Sequence, residues 1–256
     1  MKHRKLCALL IGLAAWCRAA GDPLPEDALP KADTIMDRYV EVTGGKEAYA
    51  KRKSETQTGV LEFAAMGIKA KIVRYAAEPD KYMTSMDLPG MGKVDSGVTN
   101  GIAWDNSTVL GPRIKDGEEK ALAVREAIFN GIVNWRKLYP KTETTGVESV
   151  NGEDCYKVLA TPAEGRAQTM FFSKETGLLV KVTMTAVTQM GEVPVEMYYT
   201  SYKTADGVRY PSSFSQKAAG QEFTVTIESV TVNEDIPAEK FALPAEIQAL
   251  RDKAKK

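Results

Sequence analysis

Histidine is almost missing from this chain. Among 256 residues there is one, His3, in the first few positions. A chain whose body lacks His has no Ser-His-Asp or Cys-His arrangement for nucleophilic catalysis. It also lacks the usual His-containing zinc and iron sites. Cysteine is scarce as well. Of Cys7, Cys17 and Cys155, only the last lies outside the N-terminal leader. One Cys cannot close an internal disulfide. It sits in the strand-like run 154–160 and reads as a small buried hydrophobe. Net charge is missing too, with 34 Lys plus Arg against 34 Asp plus Glu. Nothing here attracts the phosphate backbone of a nucleic acid.

Long apolar runs are absent except at the start. His3, Arg4 and Lys5 give a basic end, residues 6–16 are apolar, and Ala19 and Ala20 are small. This order reads as a secretory signal peptide over 1–19, cleaved after Ala19. The run is too short for a comfortable membrane span. Trp16 before Cys17 does not offer the small residue of a lipid-attachment site, so no lipid anchor is expected at Cys17. Removing 1–19 takes away Lys2, Arg4, Lys5 and Arg18 and no acid, leaving 30 positive against 34 negative charges. The expected location is the periplasm, or outside the inner membrane after export.

Residues 20–31 hold three prolines and several acids and read as a flexible leader. An amphipathic helix follows over 32–43, with Asp33 as its cap, Ile35, Met36, Tyr39 and Val40 on one face, and Gly44-Gly45 ending it. From Thr56 the period changes to two. Ile68, Ala70 and Ile72 alternate with lysines, and the same pattern returns at 180–186, 193–199 and 223–227. Asn151-Gly152 and Asp206-Gly207 are strong hairpin signals. Connections this short cannot hold parallel crossovers. One helix interrupts the strands near 118–129, with Asp116 and Glu119 spaced as a capping box. The tail 245–256 is polar and basic. The expected fold is mainly β with α: a single strongly curved antiparallel sheet, an unclosed barrel of about 11 strands, with helices covering the concave side. A helix over such a sheet leaves an apolar space, which is a ligand site by default.

The candidate residues for that space follow from position and type. Met66, Ile68, Ile72, Met86, Leu88 and Met91 lie on or beside the glycine-marked segments at Gly67 and Gly90. Met is pliable and suits an adaptable apolar rim. Tyr82 and Trp104 bring large rings with a polar handle. Leu122, Ile128 and Phe129 come from the interrupting helix, read as a lid. Arg113 and Arg166 are candidates for a polar mouth. The acidic groups Glu148, Glu153, Asp154 and Glu118, Glu119 read as a solvated turn and a helix start. No catalytic residue, cofactor or metal ligand is expected.

Five stretches carry a family resemblance: 39–48 (YVEVTGGKEA), 150–158 (VNGEDCYKV), 171–180 (FFSKETGLLV), 204–211 (TADGVRYP) and 241–244 (FALP). In this order, after a signal segment and a helix, they resemble the LolA-like outer-membrane lipoprotein-sorting family, in its broad uncharacterised branch. The resemblance covers 34–244 and assigns 32–244 to one LolA-like domain. It implies an unclosed barrel whose apolar interior takes the acyl chains of a lipid or of a lipidated protein. It also implies transient contact with an envelope membrane. No Arg here matches the interior Arg of the true carrier. The alternative is a cell-envelope structural or interaction protein with a filled core and no small ligand. Oligomeric state is left open.

Overall fold

The computed structural model describes residues 29–90, 92–188 and 191–254. The expected signal peptide, Cys17, most of the leader and Met91 lie outside the described residues.

Helix α1 (Ala32–Val42) buries Ala32, Ile35, Met36, Tyr39 and Val40, the stripe legible in the sequence. Asp33 is not its cap. The helix begins one residue earlier, and Asp33 reaches Arg136 at 3.1 Å. Thr43 ends the helix through its hydroxyl, which donates to the Tyr39 carbonyl at 2.7 Å. Gly44 then takes φ +133, and a Cβ there would lie 2.6 Å from the Gly207 carbonyl oxygen. Only glycine fits both demands. A short helix α2 (Gly45–Ala50) completes the N-terminal layer.

Thirteen strands follow: β1 (Ser54–Phe63), β2 (Ile68–Ala77), β3 (Lys81–Leu88), β4 (Gly92–Thr99), β5 (Ile102–Ser107), β6 (Gly111–Ile114), β7 (Lys141–Val150), β8 (Glu153–Thr161), β9 (Gln168–Ser173), β10 (Leu179–Thr188), β11 (Gly191–Ala205), β12 (Val208–Ala218) and β13 (Gln221–Val232). They form one antiparallel sheet in the order β6-β5-β4-β3-β2-β1-β13-β12-β11-β10-β9-β8-β7, open at both edges. The count exceeds the expected 11. The four-residue β6 and the polar β7 show little alternation, because an edge strand needs less apolar surface. Asn151-Gly152 and Asp206-Gly207 hold positive φ at both positions, as two-residue hairpins require.

Topology explains where the interrupting helix lies. The chain leaves the sheet at one edge, β6, and re-enters at the other, β7, so 115–140 must bridge the opening. That segment forms α3 (Gly117–Ala127), a 3-10 turn (Gly131–Asn134) and α4 (Trp135–Leu138). Helix α3 packs on β4 and β5 and also on β10. In a flat sheet β4 and β10 would be seven strand spacings apart, about 34 Å. An 11-residue helix is only about 16 Å long. The sheet is therefore strongly curled, with α3 on its concave side.

The capping box expected at Asp116 does not form, because Asp116 makes no side-chain cap and the Glu119 carboxylate is drawn to Arg113 instead. The C-terminal tail is a helix, α5 (Ala245–Ala254), packed by the fully buried Ile247 on β5 and β6. No helix among the described residues is long and apolar enough to cross a membrane.

Candidate functional site

The two halves of the concave face are filled differently. Over β8, β9 and β10, α1 and α4 pack directly on Val158, Ala160, Met170, Phe172 and Val182. Tyr39 tilts against Phe172 with ring centroids 5.5 Å apart. This half is solid. Over β1, β2, β3, β12 and β13 the apolar cluster has only Leu61, Ala70, Val225 and Ile227 buried. Phe63, Ile72, Met86, Leu88, Phe214 and Phe223 join it half-buried. Among the described residues no helix supplies a residue to this cluster, which forms a half-buried apolar wall on the sheet.

Strand register places a polar row beside that wall. Gln57, Arg74, Thr84, Ser96, Asp105 and Arg113 are successive cross-strand partners from β1 to β6. The next row is again apolar: Ala76, Tyr82, Val98 and Ala103, covered by Ala123, Val124 and Ala127 of α3. A polar stripe thus crosses the interior between two apolar zones.

Glu126 of α3 is set apart by its electrostatics. Its side chain is exposed, yet desolvation by surrounding protein lifts its carboxyl above the ordinary carboxylate range, opposed by the charges of Arg125, Arg74 and Lys115. Tyr199 of β11 repeats the pattern. It is half-buried, its hydroxyl is pushed up by desolvation, and it feels Glu126, Tyr139 and Arg74.

Ion pairs fasten α3 on both flanks. Arg113 donates to both Glu119 oxygens at 2.6 Å and also pairs with Asp105, which Lys115 reaches at 3.0 Å. The Glu119 hydrogen bonds hold the Arg113 guanidinium more firmly protonated than usual. On the opposite flank Arg166 donates to Glu118 at 2.7 Å and to Glu192 at 2.6 Å. The carbonyl of Glu164 accepts from Arg125 at 3.2 Å.

The expected site residues scatter in an instructive way. Ile72 and Met86 face each other across β2 and β3 on the apolar wall, with Leu88 beside them. Ile68 pairs with Phe63 at the rim, and Tyr82 lies in the row under α3. Leu122 lines a small cleft with Met184, Ala186 and Val187 of β10. Ile128 and Phe129 lie past the end of α3, where the Phe129 amide donates to the Pro79 carbonyl at 3.0 Å. Trp104 does not share this face. Its register partner is Gly97, one residue off the inner row, and its ring is 1% exposed. A Cβ on Gly97 would meet that ring at 2.7 Å, so glycine there makes room for Trp104. Arg113 and Arg166 are spent on the carboxylates that fasten α3.

Sequence reading passed over Arg74 and Glu126. Their signal is weak in one dimension, since Arg74 interrupts an alternating strand and Glu126 looks like any polar helix residue. Cys155 behaves as expected of a hydrophobe. It is fully buried, and desolvation pushes its thiol up to about 11. Among the described residues no group of three His, Cys, Asp or Glu side chains has metal-holding geometry. Met66 (50% exposed), Val109 (69%) and Leu110 (86%) stand out as exposed large apolar residues. All three lie at hairpin tips on one end of the sheet, at the β1–β2 and β5–β6 turns.

No protein-family model matches the sequence, and no curated protein matches it. Solved structures do match. A DUF1329 family protein from Desulfovibrio piger superposes with a TM-score of 0.57 at 12% identity, covering 84% of this chain and 98% of that one. A LolA superfamily protein from Nitrosomonas europaea gives 0.54 at 12% identity, covering 84% and 99%. Identity this low speaks to fold alone. The open, strongly curled sheet with helices on its concave side is a LolA-like fold.

Proposed function

We propose that this chain is a carrier or binding protein for acyl chains, of a lipid or of a lipidated protein, working outside the inner membrane after its leader is removed. The carrying observation is the half-buried apolar wall of β1, β2, β3, β12 and β13, to which no described helix contributes a residue, next to the strand row covered by α3, a helix fastened by ion pairs at its flanks. Each methylene that leaves water for this wall contributes about 0.8 kcal/mol. A long chain is then held reversibly without covalent chemistry. The exposed tips at Met66, Val109 and Leu110 suit brief contact with a lipid surface, at the end of the sheet where Leu88 meets the rim. The likeness in fold to a LolA superfamily protein from Nitrosomonas europaea supports the same class of function. Helix α3 acts as the lid, a binding role with no catalytic step.

The solid packing of α1 and α4 on β8, β9 and β10 favours a second reading for that half: a filled structural core that presents its outer surface to an envelope partner. Displacement of a fluorescent fatty acid separates the two. A carrier shows saturable binding that weakens when Met86→Lys places a charge on the wall. A filled scaffold shows none, and native mass spectrometry of protein from its own compartment then finds no lipid.

A further inference from the structure

Among the described residues Arg74 has no hydrogen-bonding or ion-pair partner, and the Tyr82 ring is its one cation–π contact. Its neighbours in the polar row are all committed. The Gln57 amide donates to Glu55 at 2.5 Å, the Thr84 hydroxyl to the Tyr82 oxygen at 2.8 Å, and the Ser96 hydroxyl to Asp105 at 2.8 Å. Glu55 itself is taken by Arg52, and Asp105 by Arg113 and Lys115. Among the described residues Arg74 makes no hydrogen bond and no ion pair. Its Nε is buried without a partner, and the guanidinium lies over the Tyr82 ring, 5.1 Å from the centroid. A part-buried guanidinium with donors that no protein acceptor takes attracts an oxyanion, ideally one that accepts two parallel N–H groups. Glu126 on α3 feels this charge but forms no ion pair with it.

The position of Arg74 gives the ligand a direction. One row toward the rim lie Ile72 and Met86, and beyond them Leu61, Leu88 and Phe223. The apolar wall therefore starts at the guanidinium and runs toward the exposed end of the sheet. Resting on the carrier reading, we propose that the guest is a single-chain amphiphile ending in a small oxyanion, carboxylate or phosphate. That group seats on Arg74, and the alkyl chain lies along the wall toward the rim. The head enters first. A bulky headgroup does not suit the polar row, whose other members already hold one another.

The test compares probes that differ only at the head. The purified full chain is titrated with palmitate, hexadecanol and hexadecyl phosphate in one fluorescence-displacement assay at neutral pH. The unsubstituted protein is expected to bind palmitate roughly ten- to a hundredfold more tightly than hexadecanol, the range of one charged hydrogen-bonded pair. Hexadecyl phosphate separates a carboxylate source from a phosphate source. Preference for either anion over the alcohol supports the oxyanion seat. Arg74→Leu is expected to abolish the excess of acid over alcohol affinity, and Arg74→Lys to keep part of it. Equal affinity for acid, phosphate and alcohol in the unsubstituted protein overturns the Arg74 seat and leaves the carrier reading standing. Absence of saturable binding for all three overturns both. The comparison in the unsubstituted protein needs no variant to fold.

Discussion

Removing Arg113 tests whether the ion pairs hold α3 as a separable lid. The guanidinium makes two N–H···O bonds of 2.6 Å to Glu119 and pairs with Asp105. Its side chain is 27% exposed and that of Glu119 is 20%. A fully buried bidentate pair would be worth up to about 5 kcal/mol on removal of one partner. Partial exposure and the surviving Lys115 reduce this, since Lys115 lies 3.0 Å from Asp105 and 3.9 Å from Glu119. About 2 kcal/mol is left for Arg113→Met, which keeps the aliphatic stem and deletes the charge. That free energy corresponds to roughly a thirtyfold shift in any equilibrium it controls. If α3 opens independently of the sheet, its amides should exchange with solvent about thirtyfold faster in Arg113→Met. Amides of β8 and β9, deep in the packed half, should keep their rates. Hydrogen exchange read by mass spectrometry resolves the two regions. Unchanged exchange in 117–127, or equal acceleration there and in β8 and β9, refutes the idea of a lid with its own opening equilibrium.

Other outcomes follow from the same geometry. Phe172→Ala should lower unfolding free energy by about 3–5 kcal/mol in a denaturant titration, because the residue is 1% exposed and its ring packs at a tilt against Tyr39. Acyl binding should be unaffected, since Phe172 lies in the solid half. Gly97→Ala should cost about 1–3 kcal/mol, because its Cβ would overlap the Trp104 ring and the Tyr82 carbonyl oxygen. Glu192 is held below its ordinary pKa of 4.5 by the hydrogen bond from Arg166 and then by its charge. Its stabilising contribution is therefore present above 4.5 and is lost as pH falls through the lowered value. An NMR titration should place its midpoint below 4.5 and return it there in Arg166→Ala. Glu126 has the opposite sign. Its carboxyl is raised by desolvation, so stability is lost as pH rises through the raised value. Glu126→Gln should remove that loss and raise the melting temperature at neutral pH.

Much of the fold was legible in the sequence because it is a meander. Alternation at 68–72, 180–186 and 223–227, with Asn-Gly and Asp-Gly between strands, is local information. It fixes antiparallel pairing of chain neighbours without any long-range contact. The stripe of α1 and the hydrophobic character of Cys155 were readable for the same reason. The capping box at Asp116 was misread because Arg113, three residues upstream of that cap, competes for Glu119 once β6 is paired. Trp104 was misplaced because one step of register moves a side chain to the opposite face, and composition does not reveal register.

The interior site depended on contacts the sequence does not order. Arg74 sits one row from Met86, and its lack of a partner emerges only when every nearby carboxylate has been assigned to another cation. Glu126 comes within the field of Arg74 because a helix joining the two free edges must lie across the curl. The sequence by itself determined that this chain makes a long antiparallel sheet with few helices and no His-based chemistry, because period, turn residues and composition act over a few residues. Tertiary structure alone decided which half of the sheet is filled and which charge is left unmatched, because both depend on pairing β1 with β13 and on the curl that follows.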